Sequence, residues 1–192
     1  MSIRSGILFL LGTADAYGLQ IHGELEERTD RVGRINVGQI YSTLDRLSTA
    51  GLVRIAGSTD DGLPLYGLTT DGRLVRDEWL AETTVDTASA WPDMVFKVLL
   101  VGSLDDAAGS TLLQRYRRAW HEHSDEAGPN SPVTQNSPTA LAQGRLADAA
   151  LGWLDDLELL PGGLAALGRP LRNERPRRGR RPATAPAETA EQ

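Results

Sequence analysis

Short polar side chains between residues 36 and 46 form the part of this sequence best suited to specific hydrogen bonding. Apolar residues recur there at every third or fourth position, which predicts an amphipathic helix with one buried face. The opposite face carries an amide, two hydroxyls and a cation, on Gln39, Ser42, Thr43 and Arg46. A face that only needs solvation usually carries pairs of Glu and Lys instead. These small groups suit hydrogen bonds to base edges and phosphates in a major groove.

The segments before this helix predict how it is held. Two helices are expected, a short apolar one over residues 3–11 and a second over residues 16–28, the latter capped by Thr13 or Asp15. Asn36 then stands at the N-cap position of the third helix.

The segments after this helix predict a hairpin and a fourth helix. Gly51 ends the third helix, and two strands over residues 52–56 and 63–68 flank an Asp-Gly turn. A helix over residues 71–83 follows. Three helices, a β-hairpin and a helix in this order predict a winged helix-turn-helix, whose third helix enters a DNA groove.

Three sequence motifs resemble those of a known protein family. The segments GQIYSTLDRLSTAGLV (38–53), LYGLTTDGR (65–73) and ILFLLGTADAYGLQIHGEL (7–25) resemble the PadR family of winged-helix transcriptional regulators. The resemblance covers residues 3–80. It implies an effector-released repressor that binds double-stranded, pseudo-palindromic operator DNA. A cytoplasmic location is expected for a different reason, because no apolar stretch is long enough to span a bilayer. It also implies a homodimer assembled through a helical C-terminal domain.

Under this hypothesis the DNA-binding residues come from the third helix and from nearby arginines. They are Asn36, Gln39, Tyr41, Ser42, Thr43 and Arg46, with Arg4, Arg34 and Arg54. The resemblance implies that the Tyr41 hydroxyl contacts a phosphate, whereas the alternative is a tyrosine packed under the wing against the fourth helix. The wing departs from the family pattern, because its tip carries Asp60 and Asp61 where basic residues are common.

The distribution of charge leaves a second function open. Residues 1–80 carry 8 Arg and 11 acidic residues, so the predicted DNA-binding half has a net charge of −3. A domain that grips phosphates without sequence preference is usually basic. A winged-helix protein–protein adaptor that does not read DNA is therefore the alternative. A positive ridge on the polar face would favour DNA, and a negative one would favour the adaptor.

The predicted fold class is mainly helical with a small β-hairpin wing (α+β). Its domains are a winged helix-turn-helix over residues 1–83 and a helical dimerisation domain over 84–168, with a linker at 127–139. Residues 169–192 have few apolar groups and predict a disordered, Arg-rich tail that either attracts DNA without sequence preference or only aids solubility.

The predicted dimer interface is a seam of apolar residues at helical spacing. It consists of Leu146, Ala150, Trp153, Leu157 and Leu160. Packing of the same residues within their own domain is the alternative. The resemblance implies an aromatic-lined effector site near the dimer interface, for which Trp91, Trp120 or Trp153 are the candidates, although tryptophans more commonly pack in a core.

Other chemistry has little support in the sequence. The chain has no cysteine and no phosphate-binding or nucleophile motif, so no enzyme activity and no cofactor are expected. His121 and His123 are two residues apart, which directs them to different faces of a helix, so no metal site is expected. No apolar stretch is long enough to span a bilayer, so no membrane association is expected.

Overall fold

The computed structural model of the chain describes residues 3–32, 34–85, 89–126 and 138–172. Its elements, in chain order, are α1 (Ile3–Leu11), α2 (Gly18–Arg28), α3 (Val37–Thr49), β1 (Val53–Ser58), β2 (Pro64–Leu68), α4 (Thr70–Ala81), α5 (Ala90–Leu104), α6 (Asp106–Glu126), α7 (Pro138–Leu159) and a 3₁₀ helix (Gly163–Leu167). The strands pair antiparallel as one hairpin. The predicted fold class, mainly helical with a β-hairpin wing, is confirmed.

The first helix is the centre of the fold. Ile7, Leu8 and Leu10 are fully buried, because α1 packs against α2, α3, α4, α5 and β2. A helix surrounded in this way is apolar on every face, which explains its unbroken apolar run. Since α5 belongs to the second half of the chain, the winged helix and the helical half share one core through α1.

Local signals determine both ends of α3, as predicted. The backbone N–H of Gly38 donates to Asn36 Oδ1 at 2.7 Å, and the backbone N–H of Asn36 donates to Gln39 Oε1 at 3.2 Å. This reciprocal pair is a capping box. Gly51 follows the helix with φ 71°, a left-handed conformation that glycine adopts without the steric cost of a Cβ.

The prediction for the start of α2 was wrong. The helix begins at Gly18, and its N-cap Tyr17 makes no side-chain capping bond. The reason lies in Ala16, whose backbone N–H and C=O exchange hydrogen bonds with Tyr66 of β2 at 3.1 and 2.9 Å. Because Ala16 is extended in this bridge, neither Asp15 nor Thr13 can cap a helix that starts beside it.

The helical half packs around Trp120 and Met94. Both side chains are buried, and the Trp120 indole N–H donates to the Met94 sulfur at 3.0 Å. The prediction of a linker at 127–139 extended two residues too far, because α7 already begins at Pro138. Residues 127–137 lie outside the described part of the chain, as do residues 173–192 of the predicted tail.

Candidate nucleic-acid interface

The exposed face of α3 is held together by hydrogen bonds between near neighbours. The Ser42 hydroxyl donates to Gln39 O at 3.2 Å, and Arg46 Nε donates to Ser42 O at 3.1 Å. All three side chains are exposed. The Gln39 amide oxygen closes the capping box, and the same amide carries two N–H donors. The exposed face of α3 therefore carries neutral hydrogen-bond donors on Gln39 and Ser42 and a cationic donor on Arg46.

Thr43 has a different position from the one predicted. It is only 7% exposed, and its hydroxyl accepts a hydrogen bond from Arg46 Nη2 at 3.1 Å. Thr43 therefore positions the Arg46 guanidinium through this hydrogen bond, and the Arg46 side chain is the one of the two that is exposed to solvent.

A groove next to α3 brings a second arginine to the face. Arg4 of α1 lines a cleft of about 540 Å³ together with Gln39, Thr43 and Arg46. Arg4 is exposed and lies in the first turn of its helix. Two arginines and one amide around one groove suit a ligand with anionic and hydrogen-bonding groups.

Tyr41 packs against the start of α2. A Cβ added at Gly18 would lie 2.6 Å from a Tyr41 ring carbon and 3.0 Å from its hydroxyl oxygen. The side chain remains 39% exposed. Burial, and then the nearby Asp45 and Tyr41, raise the pKa of the neighbouring Tyr66. The Tyr41 hydroxyl therefore lies at the edge where α2 and α3 meet.

The remaining predicted contacts border this face. Arg34 precedes α3 and Arg54 lies on β1, and both side chains are exposed. Asn36 is exposed, but its side-chain oxygen is engaged by the helix cap. At the tip of the wing, Asp60 and Asp61 are exposed, so the acidic tip noted in the sequence is a surface feature.

A cavity of about 340 Å³ lies between the winged helix and the helical half. Three aromatic rings line it, from Trp79, Phe96 and Tyr116, together with Lys97 and Glu82. Sequence analysis did not identify this site, because its walls come from α1, α4, α5 and α6. The only available signal was a lone lysine in an otherwise apolar run.

Lys97 holds the end of α4 against α5. Its ammonium donates to the carbonyl oxygens of Trp79 and Glu82 and lies 4.7 Å from the centre of the Trp79 ring. Lys97 is 3% exposed, and burial lowers its pKa to about 8, although Glu82 acts in the opposite direction. Burial also raises the pKa of Tyr116. Orphan carbonyls at a helix end are thereby satisfied by a residue from the other half of the chain.

The three tryptophans predicted for an effector site do not line this cavity. Trp120 is buried in the helical core, and Trp91 meets Trp153 edge to face with ring centres 5.7 Å apart. Trp79 of the winged helix is the indole that lines the cavity.

The residues of the predicted dimer seam differ in burial. Ala150 and Leu157 are buried within their own chain, so packing within the domain describes this part of the seam. Leu146 of α7 and Leu160, the residue after the helix, are 37% and 40% exposed, and Trp153 is half-buried. Only part of the seam is therefore exposed to a partner.

The described residues contain no group of three or more His, Cys, Asp or Glu placed to hold a metal ion. None of the helices among them is long and apolar enough to cross a membrane.

The first part of the chain is similar to a known protein family. Residues 7–78 match the model of the family described as "Transcriptional regulator PadR-like family". Bacillus subtilis PadR in complex with operator DNA is 18% identical and covers 85% of this chain and 98% of its own, with a TM-score of 0.40. Bacillus subtilis PadR in complex with p-coumaric acid is 18% identical and covers 86% and 98%, with a TM-score of 0.40. No curated protein matches the sequence. Over residues 7–78, the chain is therefore similar to the PadR-like family of transcriptional regulators.

Proposed function

We propose that the protein is a homodimeric repressor that binds a pseudo-palindromic operator through the exposed face of α3. The observation that carries the proposal is the preformed set of donors on Gln39, Ser42 and Arg46, with Arg4 across the groove. In a winged helix the third helix enters the major groove, where amides pair with adenine and arginines with guanine. Two such helices in a dimer would read half-sites about 34–36 Å apart, or a multiple of that distance.

An electrophoretic mobility shift tests this proposal. The DNA upstream of the protein's own gene is compared with random DNA across a salt series, for the wild type and for Gln39→Glu. Glutamate keeps an oxygen that closes the capping box but removes the amide donors and adds a charge that phosphates repel. The expected result is salt-sensitive preference for the upstream DNA in the wild type and its loss in Gln39→Glu.

A matched substitution controls for the change of charge. Gln143 is exposed on α7, in the helical half of the chain, so Gln143→Glu should leave binding unchanged. A wild type that shows no preference for its upstream DNA at low salt contradicts the proposal. The acidic wing tip would then favour a winged-helix adaptor for a protein partner.

We infer that the second copy docks on the outer face of α7. Leu141 and Leu159 are 63% and 80% exposed there, and their separation of 18 residues, or five helical turns, places them on the same side of the helix. Exposed leucines on one face of a helix are typical of a contact surface. Sedimentation should show a dimer for the wild type and a monomer for Leu141→Glu/Leu159→Glu. Leu74→Glu, which changes a leucine of α4 that is 60% exposed, is the control.

We also propose that a small aromatic effector regulates DNA binding from the cavity around Lys97. A volume of about 340 Å³ and three aromatic walls fit a single-ring molecule. The cavity spans α4 and α5, so a ligand that changes their spacing would move the winged helix relative to the helical half. This mechanism supports release of the operator by an effector.

Ligand titrations test the effector proposal. Trp79 lies in the wall, so its fluorescence should report binding of p-coumaric acid or of the matching amine, tyramine. Comparison of the acid with the amine determines which charge the site prefers beside Lys97 and Glu82. Binding that is unchanged in Phe96→Ala, or that leaves the affinity for DNA unchanged, contradicts the proposal.

A further inference from the structure

The last described residues of the chain return from the helical half to the winged helix. Residues 169–172, which we call the clasp, follow the 3₁₀ helix, whose Leu164 is buried in the helical half. Arg28 Nη2, at the end of α2, donates to the carbonyl oxygens of Arg169 and Pro170 at 2.9 and 3.0 Å. The clasp therefore connects the last element of the helical half with α2.

Arg28 uses all of its donors at this junction. A guanidinium has five N–H groups, and two of them bind the clasp. Of the others, Nε donates to Glu24 Oε2 at 2.7 Å, and Nη1 donates to Ser103 O at 2.8 Å and to Ser103 Oγ at 3.3 Å. Arg28, Glu24 and Ser103 are each 3% exposed. One buried cation therefore joins α2, the end of α5 and the clasp, and a lysine has too few donors to do the same.

Further contacts hold the clasp along α2. The backbone N–H of Arg172 donates to Glu24 Oε1 at 2.6 Å, and Gln20 Nε2 donates to Arg172 O at 2.8 Å. The Glu27 carboxylate pairs with Arg169 at 3.0 Å and also with Arg172. The clasp is therefore bound to α2 at both of its ends.

The helix α2 is in turn fixed to the start of α3. The backbone N–H of Ile35, just before the α3 N-cap, donates to Glu26 Oε1 at 2.6 Å, and its carbonyl oxygen accepts from His22 Nε2 at 2.7 Å. Ile35 is 5% exposed, so water does not compete freely for these two bonds. The position of α3 therefore follows the position of α2, which Arg28 and the clasp hold.

Contacts at two places on α5 fix the orientation of the winged helix. At one place the Phe96 ring packs on Gly6 of α1, where an added Cβ would lie 2.8 Å from the ring, and Lys97 binds the end of α4 beside it. At the other place Arg28 binds Ser103, seven residues further and about 10 Å along α5. A single place of contact would leave the winged helix free to turn, and the second prevents this.

We propose that Arg28 and the clasp determine which separation of half-sites the protein accepts in its operator. This inference rests on the proposed DNA-binding function and on the proposed dimer through α7. In such a dimer, the orientation of each winged helix on its helical half sets the distance and the angle between the two α3 helices. Arg28 is too buried to contact DNA, so it is a positioning residue, and the face of α3 supplies the base contacts.

The test measures affinity for operators of altered spacing. The operator found in the upstream DNA is compared with a derivative that has a single base pair inserted between its half-sites. This insertion moves one half-site by about 3.4 Å and turns it by about 35°. The full-length proteins are the wild type, Arg28→Lys, and Arg118→Lys as a matched change of an exposed arginine on α6.

The expected result is a smaller penalty for the insertion in Arg28→Lys. The wild type and Arg118→Lys should lose about tenfold or more in affinity on the lengthened operator, because two rigidly held helices cannot both reach their half-sites. Arg28→Lys should lose at least about threefold less, because its winged helices can turn to follow the displaced half-site.

The spacing preference distinguishes positioning from stability. All proteins are measured at a temperature at which circular dichroism shows them folded. Affinity for DNA with only one half-site should be the same for all of them, because the face of α3 is unchanged. If Arg28→Lys loses equal affinity on the original and the lengthened operator relative to the wild type, Arg28 acts only on stability and the inference is overturned.

A second variant serves if Arg28→Lys does not fold. Gln20→Ala/Arg169→Gln removes the bond to Arg172 O and the pair with Glu27, and its two side chains are half-buried and exposed. It loosens the clasp and leaves the buried cation in place. A smaller insertion penalty than in the wild type is again expected, and an equal penalty overturns the inference.

The behaviour of the wild type separates this inference from the function on which it rests. A wild type that binds its operator and tolerates the insertion without loss overturns the inference alone. A wild type that binds the operator as a monomer overturns the inference and the proposed dimer. A wild type that binds neither upstream nor random DNA overturns the inference together with the proposed function.

Discussion

The polar face of α3 and the two buried cations Lys97 and Arg28 use hydrogen bonds in opposite ways. On α3 the donors are exposed, and the partners of Ser42 and Arg46 lie three or four residues away on the same helix. Lys97 donates to the carbonyl oxygens of Trp79 on α4 and of Glu82, the residue after that helix. Arg28 donates to the carbonyl oxygens of Ser103, Arg169 and Pro170. The first arrangement leaves groups available for an external partner. The second uses cations to join segments that are distant in sequence.

This difference predicts whether a substitution changes the affinity for DNA or the stability of the fold. Changes on α3 should alter affinity for DNA with little effect on folding, because its exposed side chains bury little surface. Changes at Lys97 or Arg28 should alter stability first, because they leave buried polar partners behind.

The largest effect is expected for Arg28→Met. The substitution leaves Glu24, which is 3% exposed, as a buried carboxylate without its partner at 2.7 Å. Breaking a buried ion pair in this way costs about 3–5 kcal/mol. Urea denaturation measures the loss. Arg31→Met, an exposed arginine 3.8 Å from Glu26, should change stability by less than about 0.5 kcal/mol. Equal losses in the two variants would remove the distinction between buried and exposed cations.

The second effect is expected for Arg46→Gln, on DNA binding alone. Loss of a bidentate contact to guanine costs about 1–3 kcal/mol, or roughly 5- to 150-fold in affinity. Thr43→Val removes only the hydroxyl that supports Arg46, so its effect should be smaller, below about 1 kcal/mol. Competition titrations with labelled operator measure both. A larger effect for Thr43→Val would mean that Thr43 itself contacts DNA.

The third effect is a pH dependence of stability that comes from Lys97. Its pKa is about 8 in the folded state and 10.5 when exposed, so below pH 8 both states are charged and the cost of burial is fully present. Between pH 8 and 10.5 the unfolded state binds more protons, so stability from this group rises with pH. Each pH unit in this window is worth up to about 1.4 kcal/mol. Burial has the largest effect on this pKa, Glu82 raises it, and Arg115 lowers it.

The measurement compares Lys97→Met with the wild type between pH 7 and 9.5, where the tyrosines of raised pKa do not yet titrate. The wild type should gain about 1 to 2 kcal/mol relative to the variant across this window. Parallel stability curves for the two proteins would show that Lys97 does not lose its proton there.

The smallest effect is expected for Tyr41→Phe. The ring keeps its contact with Gly18, and only the hydroxyl at the edge of α2 and α3 is lost. A single hydrogen bond to a charged group is worth about 1.5 kcal/mol or more, so operator affinity should fall by about tenfold with an unchanged melting temperature. Unchanged affinity would make Tyr41 a purely structural residue of this joint.

The sequence by itself determined those features whose causes are local. The capping residue Asn36, the terminating Gly51 and the spacing of Ile40 and Leu44 specify α3, and the structure confirms its bounds. The motifs within residues 7–78 likewise indicated the resemblance to the PadR family, and the family model matches the same residues. In these cases the interacting groups lie within one or two turns of each other, so their spacing is visible along the chain.

Only the tertiary structure decided which groups from distant segments meet. Ala16 bridges Tyr66, which delays α2 by two residues, and Thr43 is covered although Ser42 and Arg46 beside it on the helix are exposed. The sequence did not show that Ala150 and Leu157 of the predicted seam pack within their own domain, because apolar spacing alone does not distinguish a core contact from a subunit contact. The cavity at Lys97 and the packing of residues 169–172 on α2 depend on contacts between residues up to 152 positions apart. Such contacts depend on how whole helices and strands pack together, so the local spacing of apolar residues does not predict them.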